Sequence, residues 1–223
     1  MDYAIVPAYN EEKNIYKVVT RLRELGFKAI VVDDGSRDRT YKLAKKAGTI
    51  VLRHKINKGK GEALRTAFEY AKMRKIKNFV IIDADLQYLP EEAKRVLEPI
   101  KKKEADFVMG YRNWREVPFR HRLGNFVWRT LFNILYGTNF KDTNCGYMAF
   151  GEKAIAEIEN IHGGYIIENS ILNDAIRKGL RIKQVPVKVF YHKKSEIRRG
   201  IRVVLGVLFF ILKEGMKYRL NKL

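Results

Sequence analysis

The chain has 223 residues, 46% hydrophobic and 12% aromatic, which is enough length and apolar content to bury a core and to exclude intrinsic disorder. Its 45 Lys and Arg against 25 Asp and Glu leave a formal charge of +20, and such a surplus implies an anionic partner: nucleic acid, lipid headgroups or a polyphosphate. A single cysteine, Cys145, excludes an intrachain disulfide and a cysteine-based metal cluster, and the absence of a signal-peptide pattern at the start makes the cytoplasm the expected compartment.

Short apolar runs alternate with helical patterns through the first half. Strands are predicted at residues 3–7, 29–32, 49–52, 78–82 and 107–109, and helices at 13–25, 40–47, 61–74 and 90–103. The first helix carries Ile15, Val18, Val19, Leu22 and Leu25 on one face and stops at Gly26. Strands alternating with helices predict an α/β fold: right-handed crossovers, a mainly parallel sheet and helices on both faces. Ligands of such sheets bind at the carboxyl ends of the strands.

Polar clusters fall at that edge. Pro7-Ala8-Tyr9-Asn10-Glu11-Glu12 follows the first strand, Asp33-Asp34-Gly35-Ser36 the second, Asn57-Lys58-Gly59-Lys60-Gly61 the third and Asp83-Ala84-Asp85-Leu86-Gln87 the fourth. Two carboxylates and an amide at a strand end supply hard oxygen ligands of the kind Mg2+ or Mn2+ prefers, although a solvated turn has the same composition. Pro7 and Tyr9 can form an apolar shelf for a nucleobase. Glu11 and Asp34 can accept hydrogen bonds from base or ribose, while Glu11 and Glu12 also suit a helix N-terminus and Ser36 or Asp38 a helix cap. Gly59 and Gly61 allow close backbone approach, and Lys58 or Lys60 can offset phosphate charge.

Taken as an ordered set over roughly residues 3 to 190, these motifs resemble the inverting glycosyltransferases of family 2, which have the GT-A fold. Within that family the chain is similar to the dolichol- or polyprenyl-phosphate mannose and glucose synthases. The resemblance implies a nucleotide-sugar pocket lined by Pro7, Tyr9, Glu11, Asp34, Lys58, Gly59, Asp83, Ala84, Asp85 and Arg112. It implies a metal held by Asp83, Asp85 and Gln87, a Lewis acid for the departing diphosphate. Arg112, in Gly110-Tyr111-Arg112, and Arg129 are implied on the acceptor phosphate. Asp142, in Asp142-Thr143-Asn144-Cys145-Gly146-Tyr147, and Glu168, in Tyr165-Ile166-Ile167-Glu168, are implied near the reaction centre. There they either orient neighbouring Arg and Lys or abstract a proton, and a phosphate acceptor needs no strong base whereas a sugar hydroxyl does. The sequence departs from the family pattern at Tyr88, where His is usual, and at Ser195-Glu196, where a lysine is missing and Lys193, Lys194, Arg198 or Arg199 would substitute.

Two segments bear on location. Residues 119–140 combine a basic start with a broad apolar face, suiting a core helix or one lying at a membrane surface, the latter being what the resemblance implies. The uncharged run 203–212 has basic flanks and falls short of the about 20 residues needed to span a bilayer. It suits an interfacial helix on an anionic leaflet or a helix docked on the domain or on a second subunit. The expected organisation is therefore a catalytic domain over 1–195, with 119–140 as an inserted interface helix, and a basic amphipathic C-terminal helix over 196–223. The expected protein is peripheral at the inner face of the cell membrane and takes a nucleotide sugar and a polyprenyl phosphate. The alternatives are a soluble family 2 transferase with a sugar-hydroxyl acceptor and a basic nucleic-acid-binding protein. No zinc-finger, RNP or helix-turn-helix pattern supports the latter.

Overall fold

The computed structural model describes residues 1–114, 117, 119–191 and 201–221. In chain order the elements are β1 (Tyr3–Ala8), α1 (Ile15–Glu24), β2 (Lys28–Asp33), α2 (Thr40–Lys46), β3 (Ile50–Arg53), α3 (Lys60–Met73) and β4 (Asn78–Ile81). A 3-10 turn (Pro90–Glu92), α4 (Ala93–Lys101), β5 (Phe107–Arg112), α5 (Phe119–Tyr136), β6 (Met148–Gly151) and α6 (Glu152–Glu157) follow. A second 3-10 turn (Gly164–Ile166), α7 (Ile167–Arg177), β7 (Ile182–Val187) and α8 (Ile201–Leu220) complete the chain.

The seven strands form one sheet in the order β3-β2-β1-β4-β6-β5-β7. β1, β2, β3 and β4 pair in parallel, as does β5 with β7, while β6 runs antiparallel to both β4 and β5. The reversal has a direct consequence for function. Because β6 runs the other way, the segment leading into it, residues 142–147, arrives at the same rim where the parallel strands end.

The predicted elements of the first half occur with shifted ends. α1 starts at Ile15 rather than 13, because the Glu11 carbonyl accepts the N–H groups of both Asn14 and Ile15 in a turn that follows Asn10 at φ 54°. Its buried face, Ile15, Val18, Val19 and Leu22, is the stripe read from the sequence. The helix predicted at 90–103 is divided into the 3-10 turn at Pro90–Glu92 and α4. β6 and β7 had no prediction. All four residues of β6 are buried, leaving no alternation to read, and β7 contains Pro186, tolerable because β7 is an edge strand.

β6 also anchors the aromatic core. The ring of Phe150 stacks on Phe107 with centroids 4.9 Å apart and meets Phe68 edge-on at 5.0 Å, tying α3, β5 and β6 together. α5 buries Asn125, Trp128, Phe132 and Tyr136 at helical spacing, and α8 buries Val207 and Ile211. The two helices cross closely: a Cβ at Gly215 would stand 2.7 Å from Leu135 Cβ, so only glycine permits the approach. Tyr136 stacks on Tyr218 at 5.0 Å, its hydroxyl donates to Asn173 Oδ1 at 2.6 Å, and Arg219 Nε donates to the Leu135 carbonyl at 2.9 Å. The opposite faces stay in solvent, with Phe126 and Phe209 exposed by 52% and 67% beside Leu123, Leu205 and Met216. Each helix thus docks one face on the protein and presents a second, apolar face outward. Among the described residues no helix is long and apolar enough to cross a membrane.

Replacing Phe150 with Ala should cost about 3–5 kcal/mol of stability by leaving a cavity among Phe68, Phe79 and Phe107. Chemical denaturation of the two proteins measures the difference.

Candidate active site

The strand-end loops enclose a cavity of about 340 Å³. Pro7, Tyr9, Glu11, Asp34, Gly59, Asp83, Ala84 and Asp85 line it, as the sequence reading expected, and so does Lys60. Lys58 instead is exposed; only its backbone N–H takes part, donating to Asp34 Oδ1 at 2.9 Å.

The loops are stitched to one another by their own polar atoms. Asn10 N–H donates to Ser36 Oγ at 2.9 Å, Arg37 N–H to Asn10 Oδ1 at 2.9 Å, and Glu11 N–H to Thr40 Oγ1 at 2.7 Å. Ser36 therefore serves the first loop rather than capping α2. Asp38 does accept the Thr40 N–H at 2.9 Å. The Asp34 carboxylate is nearly buried and accepts from Lys58 N and Gly59 N, at 2.9 and 2.7 Å, while His54 Nδ1 lies 2.7 Å from Oδ1. It fixes the glycine loop at the cavity wall. Gly35, at φ +73°, lies beneath that loop, and a Cβ there would stand 2.5 Å from the carbonyl carbon of Ile56. Asp33 is wholly buried, accepts the Ser36 N–H at 3.1 Å and forms an ion pair with Arg53, whose Nε lies 2.9 Å from Oδ2, a supporting role beneath the rim.

At the end of β4 the Asp85 carboxylate accepts the Gln87 N–H at 2.9 Å across Leu86, which stands at φ 60°. Gln87 is not among the residues lining the cavity; its carbonyl accepts the Phe190 N–H at 2.8 Å. Asp83 meets Lys60, whose Nζ is 2.6 Å from Oδ1 and 2.9 Å from Oδ2. Glu168 Oε1 lies 3.9 Å from the same ammonium. Burial opposes the Lys60 charge, but Asp83 and Glu168 outweigh it and hold its pKa above the ordinary value. Burial raises the pKa of Glu168. Burial also raises that of Glu11, assisted by the charges of Asp85 and Asp83 and opposed by a hydrogen bond from Asn14.

Beyond β5 lies a second cavity of about 570 Å³, lined by Arg95, Arg112, Trp114, Arg129, Lys141 and Lys188 among others, with no carboxylate among the described residues that line it. Arg112 is buried and forks onto Asp142, Nε to Oδ2 at 2.7 Å and Nη2 to Oδ1 at 2.9 Å. Arg112 thus reaches this cavity rather than the first, and Asp142 orients it. Trp114 organises the wall: its indole lies 5.8 Å from the Arg112 guanidinium and 5.6 Å from that of Arg129, and its N–H donates to the Lys141 carbonyl at 3.0 Å. Arg95, Trp114, Lys141 and Lys188 went unnoticed in the sequence, where they belong to no motif; only the surplus of positive charge hinted at them. Tyr88 lines neither cavity. It is buried against Tyr147, ring centroids 5.3 Å apart, with Cys145 Sγ 3.5 Å from its hydroxyl. Residues 192–200, which include Lys193, Lys194, Ser195, Glu196, Arg198 and Arg199, lie outside the described residues.

An acidic cavity holding Asp83 and Asp85 beyond the end of β4 and a basic cavity beyond β5, with the segment that leads into β6 between them, sit on the mixed sheet of the GT-A glycosyltransferase fold. Residues 3–158 match glycosyl transferase family 2, and the chain belongs to that family; it is a glycosyltransferase. It is 30% identical over 233 residues to the UDP-N-acetylglucosamine–dolichyl-phosphate N-acetylglucosaminyltransferase of Methanococcus voltae, covering 93% of this chain and 92% of that protein. It is 26% identical over 237 residues to the polyprenol monophosphomannose synthase of Mycolicibacterium smegmatis, covering 98% and 88%. The fold is that of glucosyl-3-phosphoglycerate synthase from Mycobacterium tuberculosis in complex with Mn2+, UDP and phosphoglyceric acid, with a TM-score of 0.72 at 20% identity, over 95% of this chain and 78% of the other.

The raised pKa of Glu11 makes a prediction about pH. The folded protein holds this proton more tightly than the unfolded chain, so the associated stability is complete below the ordinary value of 4.5 and is lost as pH rises through the folded value. Glu11→Gln cannot ionise. It should melt at a higher temperature than the wild type at pH 7, with the gain vanishing near pH 4, as thermal unfolding at the two pH values will measure.

Proposed function

We propose that the enzyme transfers a hexose from a nucleotide sugar to a polyprenyl phosphate at a membrane surface, with inversion at the anomeric carbon. The observation that carries this reading is the pairing, across residues 142–146, of an acidic cavity with a basic one whose described lining residues include no carboxylate. At one end of that segment Asp142 grips Arg112, and at the other Gly146 abuts Asp83 and Lys60. A donor diphosphate in the first cavity and an acceptor phosphate in the second would thus meet near Gly146.

Pro7 and Tyr9 offer the base an apolar surface, and the loop fixed by Asp34 presents the N-terminus of α3, with Lys60, to the diphosphate. Arg112, Arg129 and Lys141 hold the acceptor phosphate for in-line attack. One of its oxygens forms the new bond to the anomeric carbon as the bond to the donor diphosphate breaks, and the acceptor, already an anion, needs no base. Asp83 and Asp85 are hard oxygen donors in one cavity and fit Mg2+ or Mn2+. Among the described residues no three His, Cys, Asp or Glu side chains close on a common point, so water and the diphosphate would complete the shell, a mode Mg2+ favours. Such an ion supplies neutralisation of the leaving diphosphate. A second reading, transfer to a sugar hydroxyl, is favoured by the raised pKa of Glu168, a carboxylate suited to accept a proton.

The test is transfer of label from GDP-mannose, UDP-glucose and UDP-N-acetylglucosamine, with Mn2+ or with chelator, into an organic phase containing a short polyprenyl phosphate. Metal-dependent label in that phase is expected. Label only in soluble glycans would favour the hydroxyl acceptor. In the same assay Asp85→Asn should lose activity by on the order of 10²-fold or more. It should melt like the wild type, because Asn retains the oxygen that accepts the Gln87 N–H.

The exposed apolar faces of α5 and α8 support attachment to the bilayer through Phe126, Leu205, Phe209 and Met216, with Lys217 and Arg219 beside them. Phe209→Ser should weaken sedimentation with phosphatidylserine-containing vesicles by about tenfold, since burying one such side chain contributes about 1.5–3 kcal/mol. Unchanged vesicle binding would remove α8 from the membrane contact.

A further inference from the structure

Lys60 stands at the first position of α3, where the helix dipole is positive and an ammonium is disfavoured. Asp83 holds it there. The ammonium engages both oxygens of that carboxylate, at 2.6 and 2.9 Å, and Glu168 approaches from the other side at 3.9 Å. Gly146 closes the back of the group: a Cβ there would lie 3.1 Å from Asp83 Oδ2 and 3.3 Å from Lys60 Nζ. Both side chains of the pair are partly open to the donor cavity, at 30% and 25% exposure, so the contact can be broken from that side.

A divalent cation on Asp83 would stand within a few ångströms of this ammonium, and the two positive charges repel. An incoming diphosphate, however, offers the ammonium a new partner at the end of α3, where the backbone N–H groups also favour an anion. We propose that Lys60 is a displaceable internal cation. In the nucleotide-free protein it neutralises Asp83 and keeps divalent-metal affinity low; when the donor arrives it turns to the diphosphate and releases Asp83 to the metal. The inference rests on the metal-dependent reading of the donor cavity. It makes nucleotide and metal binding reciprocally coupled through one side chain, beyond whatever the phosphates contribute as ligands.

Mn2+ affinity, read from the electron paramagnetic resonance of the free ion, tests this in the wild type, Lys60→Met and Lys60→Gln, each shown by circular dichroism to be folded. Titrations are run without nucleotide and with UDP or GDP. The expected result is a gain of at least about tenfold in Mn2+ affinity for both variants without nucleotide, and little or no gain with it, because in the wild type the lysine has by then left Asp83. An equal gain in both states would show a static charge and overturn the switch. No gain in either variant, with metal-dependent nucleotide binding intact in the wild type, would overturn it alone. Absence of Mn2+ binding in every protein and state would overturn it together with the metal reading.

Discussion

A guanidinium and a carboxylate buried at the rim of the sheet join the two halves of the site. Arg112 ends β5, Asp142 precedes β6, and the fork between them is closed on both oxygens. Burial opposes the Arg112 charge, yet Asp142 more than compensates and holds its pKa well above the ordinary value. A pair of this kind stabilises little when intact, but loss of one partner leaves the other charged and dry at a cost of about 3–5 kcal/mol. Its geometry is the useful part. It sets the path of residues 142–146, and with it the position of Gly146 against Asp83 and Lys60.

Charge is partitioned across this framework. On one side Glu11, Asp83 and Asp85 share a cavity with Lys60 and the α3 N-terminus; on the other, arginines and lysines face one another around Trp114, with no acid among the described residues there. Like charges gathered this way repel when empty and bind an opposite charge strongly, so each cavity is stable in proportion to what fills it. Loop stitching by Asn10, Ser36, Asp34 and Thr40 holds the acidic side in shape while it is empty, which reduces the ordering cost of binding.

The parallel half of the fold was legible in the sequence because each strand there is a short apolar run followed by a breaker and a periodic helix. Glu11, Asp34, Asp83 and Asp85 were legible for the same reason, since each lies in a loop that follows a strand whose direction was already known. The second half was not. β6 is too short and too uniformly buried to show a period, so no pattern of residues announced that the chain reverses there, and only the family resemblance put Asp142 near the reaction centre. The basic cavity escaped because Arg95, on α4, and Trp114, Lys141 and Lys188, in three separate loops, converge only in three dimensions. Lys58 and Lys60 could not be told apart without knowing that α3 begins at Lys60.

Cys145, the single cysteine, lies wholly buried behind Arg112 and beside Tyr88, and burial, with the charge of Asp142, pushes its thiol up to about 12. At neutral pH it carries essentially no thiolate and is closed to reagents. The native chain is in practice a ready-made blank for thiol labelling. A cysteine introduced at the outward face of α8 would be the sole reactive position, so a spin label or fluorophore could be placed there without first removing a residue packed against the site.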